Sequence, residues 1–204
     1  MQVKGNDEIV VSTERSNRNM SDLYIYMICS RNKDNKNVHE FKERCKMILE
    51  YRENEDKVIA KFEDFAEKGL PGEKTRLYKS VNSRNEEKIR EEFVIRLLRD
   101  KPSIIKINSI LASVARQTQN RDESKWMFDF DVDNENKVRE FINCIHSCSY
   151  IPLRYIDMYK TPNGYAIIVP HRFDTRELME KWKDYDITLK KDGLIFMDMI
   201  TAGE

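Results

Sequence analysis

Apolar and polar positions alternate along this chain in two distinct rhythms. Leu23-Tyr24-Ile25-Tyr26-Met27-Ile28-Cys29 is a continuous β-prone run and predicts a first strand. Phe41, Cys45, Ile48 and Leu49 recur at helical spacing, so a helix is predicted over about 38–51. Val58, Ile59, Phe62, Phe65 and Ala66 form the stripe of a second helix over about 56–68, ended by Gly69 and Pro71. A strand follows over 75–81, then helices over 86–99 and about 103–117. The run 125–132 reads as a strand and 137–148 as a helix. Strands at 154–159 and 165–169 flank the turn Thr161-Pro162-Asn163-Gly164, which reads as a hairpin. A short helix over 175–183 and a last strand over 194–200 complete the pattern.

Alternating elements with a late hairpin predict an α+β chain, with a single mixed or antiparallel sheet core flanked by helices. Three regions are expected: a disordered leader over 1–19, a strand and helices over 20–73 packing on the core, and a core over 74–204. The leader is rich in Ser, Asn and charge and lacks the apolar segment of a signal peptide.

Charge changes this picture only locally. Lys plus Arg and Asp plus Glu each number 36, so a general polyanion coat is not expected. Residues 74–116, however, carry 11 basic against 5 acidic groups. No apolar run approaches the ~18–20 residues that span a membrane. Cys144 and Cys148 lack a second pair at zinc-site spacing, so the four cysteines are read as reduced thiols of a cytoplasmic protein.

The chemistry concentrates in Trp126-Met127-Phe128-Asp129-Phe130-Asp131. On a strand, residues two apart share a face, so Asp129 and Asp131 project side by side. Paired carboxylates repel unless a cation lies between them, and oxygen ligands suit Mg²⁺ or Mn²⁺. Asp198, near the end of the last strand, is the expected third ligand. Three carboxylates around metal ions serve in-line phosphoryl or nucleotidyl transfer. Arg76 and Arg84 are candidates for neutralising phosphate charge, and the 161–164 turn for holding phosphate oxygens. A calcium loop over 129–140 would have Asn134 where glycine is required, and a haloacid-dehalogenase phosphatase would need more chain after Asp131.

These motifs resemble the archaeo-eukaryotic primase superfamily, in its phage and plasmid branch. The Asp129-Phe130-Asp131 segment is similar to the family's first motif. Lys160-Thr161-Pro162-Asn163-Gly164-Tyr165-Ala166 is similar to the second, and Ile195-Phe196-Met197-Asp198 to the third. The segment Arg76 to Arg84 resembles the strand and Asn-x-Arg turn that precede the acidic motif.

The resemblance implies a primase-like (RRM-like) catalytic fold with an N-terminal α/β extension. It implies a metal-dependent nucleotidyltransferase acting in phage or plasmid DNA replication, in the host cytoplasm if phage-encoded. Catalytic and metal residues would be Asp129, Asp131 and Asp198. Phosphate-binding residues would be Arg76, Arg84, Lys160, Thr161, Asn163 and Gly164. Nucleic acid and a nucleoside triphosphate are the implied partners, with a replication helicase as a further one and no membrane. One departure stands out: Ala166 occupies the position of the family's phosphate-contacting histidine, and His171 lies five residues on. A catalytically impaired relative that binds nucleic acid or a partner protein is the alternative, and a metal-dependent nuclease another.

Overall fold

A computed structural model of the protein describes residues 22–203; the leader expected over 1–19 lies outside the described residues. The chain is α+β, built on two antiparallel four-stranded sheets rather than the single sheet expected. Sheet A comprises β1 (Leu23–Ser30), β2 (Arg44–Tyr51), β3 (Lys74–Ser80) and β8 (Leu194–Thr201), in the order β2-β1-β3-β8. Sheet B comprises β4 (Trp126–Phe130), β5 (Asp157–Lys160), β6 (Tyr165–Val169) and β7 (Ile187–Lys190), in the order β5-β6-β4-β7. Among the described residues five α-helices cover them: α1 (Glu55–Glu67), α2 (Glu86–Asp100), α3 (Ile107–Ala115), α4 (Glu135–Ser149) and α5 (Arg176–Lys181).

The helix expected over 38–51 is instead a run of turns followed by β2. Cys45, Met47, Leu49 and Tyr51 alternate with period two, and pairing along the whole of β1 selects that period over the helical one. The strand β7 was not expected, because only Ile187 and Leu189 carry its apolar face.

β1 is buried on both faces, which explains its unbroken apolar sequence. Tyr24, Tyr26 and Ile28 pack with Leu77 of β3 against Val58 and Phe62 of α1. Leu23 and Ile25 pack on the other face against Ile89 of α2 and Val114 and Ala115 of α3. The helices start and stop on local chemistry. The Asn85 side chain accepts the Lys88 N–H at 2.9 Å to open α2, and Lys101 closes it in a left-handed conformation (φ 42°). Asn134 and Tyr150 play the same parts for α4.

In sheet B the two faces divide cleanly. Phe128 and Phe130 point to α4 and α5, where Phe141, Ile145 and Trp182 meet them. Met127, Asp129 and Asp131 therefore point the other way, towards sheet A. The sheets join through a small apolar cluster of Val81, Met127, Ala166, Ile168 and Ile195. Beside it the Asn82 amide exchanges hydrogen bonds with the backbone of Lys125, at 2.8 and 3.1 Å. No helix among the described residues is long and apolar enough to cross a membrane.

Candidate functional site

The space left between the sheets, beside that apolar cluster, is a cleft of about 130 Å³. One wall is β4, with Met127, Asp129 and Asp131; the other is β3 and β8, with Arg76, Tyr78, Leu194 and Phe196. Arg31 and Lys33, from the connection between β1 and β2, close one end, and the Thr161-Pro162-Asn163 turn closes another. Acidic and basic groups thus line one cleft with room for a phosphoryl group and an ion.

Asp129 and Asp131 share a face because β4 is a regular strand. Asp129 stands opposite Ala166 on one side and Thr188 on the other. Phe130 pairs with Ile187, and the Asp131 N–H donates to the Asp186 carbonyl at 2.9 Å. This register sets Asp186 opposite Asp131, though Asp186 is exposed and does not line the cleft. The Asp131 carboxyl is pushed above the usual aspartate range by burial first, then by the charges of Asp129 and Asp186. Lys190, from β7, forms an ion pair with Asp129.

The basic wall is held in place rather than free. Asp34 accepts hydrogen bonds from Arg76 and from Arg31, the latter at 3.3 Å. Arg31 also donates to the Tyr78 hydroxyl at 2.6 Å. Arg76 and Asp34 are both almost fully buried, so their mutual neutralisation is needed to keep either charge there. Burial raises the Tyr78 hydroxyl above its ordinary value, so the phenol stays protonated and able to donate.

The turn approaches the acids very closely. Gly164 lies against β4, and a Cβ there would come within 2.0 Å of the Phe130 carbonyl and 3.1 Å of the Asp131 Cα. Glycine is required at this position by contact, not by backbone conformation. Thr161 ties the turn from inside, its hydroxyl accepting the Gly164 N–H at 3.1 Å.

No family model matches the chain, and no curated protein or solved structure matches it. The site therefore rests on its own geometry.

Of the residues singled out from sequence, Asp129, Asp131, Arg76, Thr161 and Asn163 line the cleft, and Gly164 abuts it. The other three lie elsewhere. Arg84 is buried and gives both terminal nitrogens to Asp192, at 2.9 and 3.1 Å. Lys160 is paired with Asp133 and lies over the Tyr165 ring. Asp198 stands opposite Leu77, past an irregularity in the β3–β8 register, so it shares the sheet face that packs on α1. Without that bulge, strand parity from Leu194 and Phe196 would have carried Asp198 to the cleft. Among the described residues, no three His, Cys, Asp or Glu side chains form a ready-made metal cage.

Sequence reasoning missed Asp186, Lys190, Arg31, Lys33 and Tyr78. For Asp186 and Lys190 a signal existed: Ile187 and Leu189 alternate with Thr188 and Lys190, the pattern of a half-buried strand.

Proposed function

We propose that the cleft binds a divalent cation with a phosphate-bearing nucleotide, and that the protein is a metal-dependent nucleotidyltransferase of primase type. The observation that carries this reading is the pair Asp129 and Asp131 lining one cleft with Arg31, Lys33 and Arg76. The donor set fits a hard cation: both are carboxylates, and burial, with the charges of Asp129 and Asp186 adding to it, disfavours ionisation of Asp131. Asp129 and Asp131 would hold Mg²⁺ or Mn²⁺, which when bound polarises phosphate oxygens and lowers the pKa of an attacking hydroxyl.

The chain's own groups do the positioning. Lys33 and the Arg31 guanidinium meet phosphate charge, Arg76 adds buried positive charge behind them, and Thr161 and Asn163 bound the phosphates on the hairpin side. Lys190 balances Asp129 and so limits the repulsion of a triphosphate from the acidic wall. Phe196 and Tyr78, in edge-to-face contact at 6.0 Å, give the cleft an apolar flank that excludes water. Nucleic acid carrying the attacking 3′-hydroxyl is the second substrate.

A second reading is favoured by one observation. Ala166 sits directly opposite Asp129 and is buried. His171 is exposed, its ring Nδ1 lies 3.1 Å from the Arg172 carbonyl, and it does not line the cleft. In this reading the cleft binds nucleotide without transferring it.

The test combines Mn²⁺ and nucleoside-triphosphate titration with incorporation of labelled nucleotide on a primed and an unprimed DNA strand. Incorporation abolished by Asp129→Asn with Asp131→Asn supports the transferase. Nucleotide and Mn²⁺ binding without incorporation supports the second reading, and binding of neither overturns both.

A further inference from the structure

Cys29 of β1 and Cys45 of β2 stand directly opposite each other. The Arg52 N–H donates to the Asp22 carbonyl at 2.9 Å, which marks 22 and 52 as a hydrogen-bonded pair. Alternation along the antiparallel ladder then makes 29 and 45 a non-hydrogen-bonded pair. Such pairs bring Cα atoms to about 4.5 Å, within the roughly 4.4–6.8 Å that a disulfide spans. Cys29 is buried, whereas Cys45 is exposed and lines a cavity of about 650 Å³ together with Lys46 and Arg116. The segment between the two cysteines carries Arg31, Lys33 and Asp34, which build the basic end of the cleft.

We propose that Cys29 and Cys45 form an oxidisable dithiol clasp, closed by a small peroxide, at the neck of the segment that presents Arg31, Lys33 and Asp34 to the cleft. The order of events follows from access. Burial, with the neighbouring Cys45 adding to it, pushes the Cys29 thiol up to about 12, so it stays protonated. Cys45 is reached from the cavity and reacts first. Its sulfur attacks peroxide, the O–O bond breaks, and a sulfenic acid and one water result. The Cys29 sulfur then attacks the Cys45 sulfur; the S–S bond forms and the S–O bond breaks. The departing hydroxide takes the Cys29 proton and leaves as a second water. The two sulfurs together lose two electrons, and the peroxide gains them.

Closing the clasp restricts the intervening segment at both ends. The proposal stands on strand register and access, and does not depend on nucleotidyl transfer. Cys144 and Cys148, one helical turn apart on α4, serve as an internal control.

The test is treatment of the reduced full chain with hydrogen peroxide, followed by intact-mass and peptide analysis without reductant. The expected result is a monomer lighter by two hydrogens, with the Cys29 and Cys45 peptides joined. Trypsin cleavage between them should release separate fragments on a denaturing gel only after reduction. Cys45→Ser should abolish the link, and a Cys144→Ser, Cys148→Ser variant should retain it. Exchange protection at residues 31–34 should rise at least severalfold on oxidation. A link that persists in Cys45→Ser, oxygen adducts on Cys45 with Cys29 untouched, or a disulfide-bonded dimer would each overturn the clasp. Cys45→Ser replaces an exposed residue, so a folding failure of Cys29→Ser would not remove the test.

Discussion

Asp131 is strained by its company. It is partly withdrawn from water, and both its acidic neighbours disfavour its charge. Its folded-state pKa lies above that of an unfolded aspartate, so as pH falls the native chain takes up this proton first. The contribution of this carboxyl to stability therefore improves as pH drops towards its raised pKa and worsens as it ionises. Asp131→Asn should stabilise the fold near neutral pH by about 0.2–1 kcal/mol, the range for relieving a like-charge cross-strand pair. It should also weaken Mn²⁺ binding at least tenfold. The gain should vanish in acid, where the wild-type carboxyl is already neutral; thermal melts across pH and a Mn²⁺ titration check both halves. Arg84 shows the opposite economy of charge. It is buried and gives two hydrogen bonds to the partly buried Asp192, so Arg84→Met leaves that carboxylate with only the Asn82 amide. A loss of about 3–5 kcal/mol is expected in urea denaturation. Nucleotide affinity per folded molecule should be unchanged, because Arg84 does not line the cleft.

At the scale of elements, the β5–β6 hairpin delivers the turn and β4 delivers the acids, and they meet at Gly164. Gly164→Ala forces β4 or the turn to move, since the Phe130 carbonyl occupies the space a Cβ needs. About 1–3 kcal/mol of stability should be lost, as for overpacking, and Mn²⁺ binding should fall with it because Asp131 moves too. Chemical denaturation and the same titration read both effects. Legibility in the sequence also divides by element. β4 and the hairpin were readable, because alternation and the Thr-Pro-Asn-Gly turn are local signals that their surroundings reinforce. β2 was not, because Cys45, Ile48 and Leu49 satisfy a helical stripe while Cys45, Met47 and Leu49 satisfy a strand, and only the long-range pairing to β1 decides. The face that Asp198 takes was illegible for a related reason. Asp198 is on a strong apolar strand but falls past a bulge that alternation does not announce. Asp186 precedes a strand of four residues and owes its place to the backbone bond between Asp131 and its own carbonyl.

The whole molecule is organised so that neither sheet holds the cleft alone. Sheet B brings Asp129 and Asp131, sheet A brings Arg76 and Tyr78, and the apolar cluster of Val81, Met127, Ala166, Ile168 and Ile195 sets the distance between them. Each sheet has its own helical cover, α1 to α3 on one and α4 with α5 on the other, so the cluster is the small shared part of two larger cores. Ile168 sits in it from sheet B, nearly fully buried and paired with Met127. Ile168→Ala should cost about 2–5 kcal/mol by loss of buried area and creation of a cavity. Because the cluster is the joint, that loss should fall on the coupling of the sheets more than on either sheet. Urea unfolding followed separately by fluorescence of Trp126 in sheet B and Trp182 in the core beneath it, and by exchange of β1 amides in sheet A, should then show two midpoints where the wild type shows one. Cation and nucleotide affinity should weaken at urea concentrations below either midpoint, because the walls separate before the sheets unfold. An equal loss at both probes with a single retained midpoint would mean that the Asn82–Lys125 hydrogen bonds and the Arg84–Asp192 pair, not the apolar cluster, fix the two halves of the cleft.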